Sequence, residues 1–214
     1  MATGNAVNQS YSSTTDGRKL LEISAADLDT TTEALLDLAR ASNVEVVWIH
    51  GGDFSSAGFT RRQGFIRLSC TWAKPTHSRD ELCLLSENER VELMNSAYGG
   101  VWGHHPYDPA LDSSDTGRCA AGTYVDDHAV GICTFWPDQR LVDGPGLRPP
   151  YRNAERKVEL LRLVCNELGE GSIELETWGE DSESLALYRQ LGFDEIENEV
   201  GWELRLGTEH GDGI

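Results

Sequence analysis

Apolar positions along this chain repeat with two periods, and the change from one to the other marks the elements. In residues 28–41, Leu28, Ala34, Leu35, Leu38 and Ala39 recur every three to four positions, which predicts an amphipathic helix. Residues 44–49 are β-branched and aromatic and predict a strand, broken by Gly51-Gly52. Residues 55–63 predict a short helix closed by Gly64, residues 65–72 a strand, and residues 75–81 a linker. Ser86-Glu87-Asn88-Glu89 has the form of a capping box and opens a helix carrying Val91, Leu93, Met94 and Ala97. A loop over residues 103–117 follows. Residues 119–125 and 129–136 then read as a hairpin turned by Asp126-Asp127-His128.

Residues 141–147 read as a strand interrupted at Gly144-Pro145-Gly146, because proline removes a ladder hydrogen bond. A helix over 151–168, a strand over 173–178, a helix over 182–191 ended by Gly192, and a strand over 195–206 complete the pattern. In the last strand Ile196, Val200, Trp202, Leu204 and Leu206 are expected on one face. The order predicts an α/β (α+β) layered fold with a central mixed, mostly antiparallel sheet flanked by helices. Four segments are expected: a leader (1–17), an N-terminal half-domain (18–75), a main domain (76–206) and a tail (207–214). A shift of 128 positions lays residues 44–65 on 172–193, matching Gly51 with Gly179, Asp53 with Asp181 and Phe65 with Phe193. That points to a partial internal repeat in which Thr60 stands opposite Tyr188.

The net charge of −18 argues against nucleic acid as a partner and suits either a cationic substrate or plain solubility. Arg148, Arg152, Arg156, Lys157 and Arg162 nevertheless crowd one stretch, which suggests an anion-binding edge. No apolar run reaches membrane length and the N-terminus has no secretory character, so a cytoplasmic protein is expected. The five cysteines lack metal-site spacing, and neither a metal nor disulfides are expected.

Residues 184–193, Ser-Leu-Ala-Leu-Tyr-Arg-Gln-Leu-Gly-Phe, resemble the helix motif A-x-x-L-Y-x-x-x-G-F of the GNAT acyltransferase superfamily. Residues 147–152, Leu-Arg-Pro-Pro-Tyr-Arg, resemble the exit from that family's fourth strand. The resemblance covers about residues 86–206 and implies acyl transfer from an acyl-CoA or phosphopantetheine thioester to the amine of a small molecule. It implies donor contacts at Leu147, Arg148, Arg152, Asn153, Ala154, Arg156, Lys157 and Asp181, and a general-acid role for Tyr188. Asp181 also suits a helix N-cap.

The chain departs from the family at the pyrophosphate loop. Glu155 and Lys157 fill the two small-residue positions of R/Q-x-x-G-x-G/A, and a carboxylate beside a pyrophosphate is electrostatically wrong. Two alternatives follow: a donor carried on an acyl carrier protein, or a non-catalytic binding module on the same fold. Base candidates are Glu174 and Glu176 on one strand face, and His104 and His105 in the long loop. Trp102, Tyr107 and Asp143 are candidates for the acceptor pocket.

Overall fold

The computed structural model describes residues 9–14, 17–27, 31–73, 82–99, 102–107, 117–179 and 182–206. Their order is β1 (Gln9–Ser13), β2 (Lys19–Ser24), α1 (Thr32–Ala41), β3 (Val46–His50), β4 (Thr60–Trp72), β5 (Cys83–Leu84) and α2 (Glu87–Ala97). Then follow β6 (Cys119–Val125), β7 (His128–Trp136), β8 (Leu141–Asp143), β9 (Gly146–Leu147), α3 (Ala154–Leu168), β10 (Gly171–Trp178), α4 (Ser182–Gln190) and β11 (Asp194–Arg205).

Local chemistry fixes several boundaries. The Ser86 hydroxyl accepts from the Glu89 amide while the Glu89 carboxylate accepts from the Ser86 amide, so the capping box starts α2. Asp126 and Asp127 take left-handed φ values of 49° and 62°, as a two-residue hairpin turn requires. Gly192, at φ 94°, ends α4. Cys70, Cys133 and Cys165 are buried, and all five cysteines are free thiols.

All strands join one mixed, mostly antiparallel sheet of order β1-β2-β3-β11-β4-β10-β8-β7-β6-β5, with β9 paired to β7. Only β2–β3 and β8–β10 are parallel. The helices α3 and α4 cover Ile66, Leu68, Val142, Ile173 and Leu175 on one face. On the same face α1 covers Leu21, Ile23, Val47 and Ile49. The opposite face carries α2, packed on Ala120 and Ile132 through Leu93 and Ala97.

The sheet reads the same from both ends. From β2 to β8 the pairings run parallel, antiparallel, antiparallel, antiparallel, parallel. The register agrees: Leu20, Leu21 and Glu22 face Val46, Val47 and Trp48, as Leu141, Val142 and Asp143 face Glu174, Leu175 and Glu176. The second trio of partners lies 128 positions after the first, so the repeat is a structural one with its axis between β4 and β11.

Three expectations are corrected. Residues 55–63 are not an α-helix: Ser55–Ala57 form a single 3-10 turn, Gly58 closes it at φ 79°, and Thr60 already belongs to β4. Gly64 is therefore no helix cap. It lies inside β4 beside a β11 bulge, where a Cβ would meet the Glu199 carbonyl oxygen at 2.4 Å. Ile196 does not share the buried face of Trp202, because bulges after Glu195 and after Asn198 reset the alternation, leaving Ile196 exposed. The helix expected from 151 begins at Ala154, after a 3-10 turn at Pro149–Tyr151.

Candidate functional site

The interruption at Gly144-Pro145-Gly146 parts two neighbouring strands. β8 pairs with β10 over Leu141–Asp143, and the Gly144 amide adds a last bond to the Glu176 carbonyl at 2.7 Å. Beyond that rung Gly146 and Leu147 pair with β7 instead, while β10 continues to Trp178 alongside β4. A wedge opens between the two. The Tyr98 hydroxyl donates to the Gly144 carbonyl at 2.8 Å, and its ring lies so close to Gly146 that a Cβ there would meet it at 2.7 Å.

The wedge leads into a cleft of about 520 Å³, a size typical of small-ligand pockets. Gly144, Pro145, Gly146, Leu147, Thr177, Trp178 and Gly179 line its wedge end, with Tyr98, Trp102, His104, Arg152 and Lys157 around it. The far wall comes from the N-terminal strands and β11: Trp48, Arg61, Arg62, Gln63, Glu203 and Arg205, with Thr14 and Arg18.

His104 stacks on Tyr98 with ring centres 4.5 Å apart. Burial, reinforced by the charges of His105 and Lys157, pushes its pKa down to about 4, so it is neutral at pH 7 and able to accept a proton. His105 points elsewhere. Its Nε2 meets Glu22 at 3.0 Å, and Glu22 also meets His50 at 2.5 Å. Burial would raise the Glu22 carboxyl, but the hydrogen bonds from His105 and His50 outweigh it and hold it at about 2. The bond to Glu22 raises His105 in turn.

Glu203 is buried on the far wall. Its carboxylate accepts from Arg62 at 2.8 Å, Arg205 at 2.9 Å and the Trp48 indole at 3.1 Å, which together overcome the cost of burial and lower its pKa.

The other sequence candidates are placed as follows. Tyr188 is fully buried among the core residues under α3 and α4 and does not line the cleft. Glu176 accepts from Arg67 at 2.6 Å, and Glu174 lies 3.9 Å from the same guanidinium; neither reaches the cleft. Asp143 is held by the Thr134 hydroxyl and by Arg118 at 3.4 Å; burial raises its pKa, and it too lies outside the lining. Tyr107 exchanges backbone hydrogen bonds with the Asn95 amide group. Trp102 is in the wall, beside Trp48 at 5.4 Å and His50 at 5.1 Å. Asp181 lies outside the described residues.

At the start of α3, Asn153 caps the helix and its side chain occupies the Arg156 amide. Arg152 turns inward and donates to the carbonyls of Leu147, Ala97 and Gly99. Arg148 is tied to Glu92 at 2.6 Å, and the Arg156 guanidinium sits 6.0 Å over the Tyr151 ring. Leu147 and Ala154 are buried. Among the described residues no group of three or more His, Cys, Asp or Glu is arranged to hold a metal ion, and no helix is long and apolar enough to cross a membrane.

The far wall escaped the sequence reading. Arg61, Arg62, Glu203 and Arg205 come together only through long-range strand pairing. The available signal was the Arg61-Arg62 doublet.

No protein-family model and no curated protein matches the chain. Solved structures do. A GCN5-related N-acetyltransferase from Sphaerobacter thermophilus is 15% identical with TM-score 0.51, over 88% of this chain and 74% of its own. One from Kribbella flavida is 13% identical with TM-score 0.51, over 94% and 90%. A candidate acetyltransferase from Pyrococcus horikoshii is 12% identical with TM-score 0.52, over 94% and 68%. This chain has the GNAT fold. Among the described residues the wedge occurs once: β2 and β3, the repeat partners of β8 and β10, stay paired through all five rungs from Leu20–Val46 to Ser24–His50.

Proposed function

We propose that this chain is an N-acyltransferase that moves an acyl group from a pantetheine thioester to the amine of a small molecule. The observation that carries the reading is the wedge at Gly144–Leu147 and Thr177–Gly179, opening onto a cleft lined by His104, which stacks on Tyr98. Backbone groups along the parted strands would hold a pantetheine arm, and the amides of Ala154 and Glu155 at the start of α3 face the region where an anion is favoured. When bound, the donor supplies an electrophilic thioester carbonyl. The amine nitrogen adds there, the carbon–sulfur bond breaks, and an amide and a thiol result. His104 takes the proton from the attacking nitrogen. At a pKa of about 4 it is a weak base, and it readily passes that proton to the departing thiolate. Tyr188, buried in the core, carries no step in this reading.

A carrier-protein donor is a second reading, favoured by the α3 terminus. Asn153 already occupies the Arg156 amide, Arg152 is spent on carbonyls, and Glu155 places a carboxylate at the second helical position. That arrangement suits phosphopantetheine better than the pyrophosphate of free coenzyme A. Thiol release should be followed with acetyl-CoA, and separately with an acylated carrier protein, against a panel of amines. Release with either donor that falls at least tenfold in His104→Ala supports transfer. Absence of release and of donor binding by calorimetry with both would leave a non-catalytic module.

A further inference from the structure

The charge of the cleft is opposite to that of the chain. The sequence holds 18 Lys and Arg against 36 Asp and Glu. Yet Arg18, Arg61, Arg62, Arg152, Lys157 and Arg205 line the cleft, and among the described residues the only carboxylate there is Glu203. The described lining thus holds six basic residues and one acid. On the far wall Glu203 is shared between Arg62 and Arg205, so the trio keeps a positive charge. Arg62 lines the cleft, and its Nε is buried with no hydrogen-bond partner among the described residues. Burying such a donor is unfavourable unless something accepts from it. Arg152 and Lys157 stand at the α3 side of the cleft, whereas Arg61, Arg62 and Arg205 stand on β4 and β11, beyond β10 from α3.

We propose that the acceptor is an anionic amine, one whose amino group is carried on a small molecule with a carboxylate or a phosphate. This rests on the acyl-transfer reading and deepens it. The anionic group lies against Arg62 and Arg205, which share the Glu203 face of the sheet, through charge-assisted hydrogen bonds to the guanidinium groups. The amino group then points toward His104 and the wedge. The described lining offers no unshared carboxylate for an ammonium, so the amine enters with its charge disfavoured, which promotes the neutral nucleophile. The chain's acidity therefore does not report on the substrate: the cationic acceptor that −18 suggested is the wrong sign for this cleft.

The experiment pairs amines that differ only in the anion. Glycine and β-alanine are compared with glycinamide and β-alaninamide, and O-phosphoethanolamine with ethanolamine, as acceptors from whichever donor releases thiol. The expected result is kcat/KM at least 100-fold higher for the anionic member, and the carboxylate and phosphate arms show which anion is preferred. Arg205→Gln, at an exposed position, lowers that ratio at least tenfold through KM, with circular dichroism confirming the fold; Arg62→Gln does the same where it folds. A donor-free titration with N-acetylglycine reads the anion site alone and is weakened by Arg205→Gln. Equal rates for anionic and neutral amines would overturn the proposal while acyl transfer stands. Binding of N-acetylglycine without thiol release from any donor would instead remove the transferase reading and leave the anion site. Failure of N-acetylglycine to bind, with no preference among amines, would overturn the anion site outright.

Discussion

Replacing Gly201 with alanine tests how the cleft wall is built. Gly201 lies in β11 against the outer edge of the six-membered ring of Trp102. A Cβ added there would stand 2.3, 2.5 and 2.7 Å from three ring carbons. Nonbonded carbons prefer about 3.5–4.0 Å, so the ring must retreat by roughly 1 Å or more. It has little room, being 6% exposed and packed beside Trp48 and His50. Overpacking of this kind costs about 1–3 kcal/mol. Against it, removing a glycine from a strand interior recovers about 0.5–1 kcal/mol. Gly201 is not among the residues with positive φ, so no backbone strain enters. The expected net destabilisation is therefore about 1–2 kcal/mol.

Urea denaturation, followed by tryptophan fluorescence and near-ultraviolet dichroism, measures it. The decisive arm is a double-mutant cycle with Trp102→Ala. In that background the ring is gone, and Gly201→Ala should turn neutral or stabilising by about 0.5 kcal/mol. In the otherwise unchanged protein it should also raise the acceptor KM severalfold, because Trp102 lines the cleft. A coupling below about 0.5 kcal/mol, or a Gly201→Ala protein as stable as its parent, would refute the packing argument.

Other outcomes follow from individual contacts. His104→Ala should lower kcat at least tenfold, about 1.4 kcal/mol of barrier, whereas Tyr188→Phe should change it less than threefold; the reverse order would return the acid role to Tyr188. Arg140 closes the end of α3 by donating to the carbonyls of Leu168, Gly169 and Ser172 at 2.7–2.9 Å, and Arg140→Asn, which tolerates its φ of 54°, should cost about 2 kcal/mol in denaturant titration. Glu22→Gln should be pH-sensitive. The depressed carboxyl contributes stability that is present above its ordinary value near 4.5 and is lost as pH falls toward 2. The raised His105 contributes stability that is present below 6.5 and is lost as pH rises through its folded value. The gap between parent and variant should thus be widest between pH 4.5 and 6.5, up to about 3 kcal/mol, and narrow on both sides in urea titrations at pH 3, 5.5 and 8.5.

What was legible in the sequence was what short-range chemistry decides. The Ser86 capping box, the Asp126-Asp127 turn, the Gly192 cap and the Gly144-Pro145-Gly146 interruption each act within a few residues, and each stands where the pattern put it. The wedge was thereby half visible, since proline at that point had to break a ladder. The far wall was not. Arg61, Arg62 and Gln63 form a polar run that has helical spacing in isolation, yet they are strand, because β11 supplies the facing edge. Glu203 alternates as a solvent residue should, but its partners Trp48 and Arg62 are 155 and 141 positions away. The motif around Tyr188 located the fold, and its tyrosine lies in the core rather than in the cleft lining. Its leucines and the glycine turn specify how α4 packs, and the same packing buries the tyrosine.

The repeat explains why one chain provides two unlike walls. The pairing order reads alike from both ends, but only the C-terminal copy inserts Gly144-Pro145 after its parallel strand. There the ladder parts and a wedge forms; in the N-terminal copy β2 and β3 remain zipped to Ser24 and His50. The paired copy is thereby free to serve as a wall. Trp48 on β3 and Arg62 on β4 meet Glu203 on β11, the strand across which the two halves exchange partners. Glu22 occupies the register position of Asp143, and both carboxylates are partly buried, but one is held ionised by a histidine pair and the other has its pKa raised. A duplicated frame with one opened ladder thus places a cleft at the junction of the halves. Neither half alone contains the wedge, the histidine and the arginine wall together.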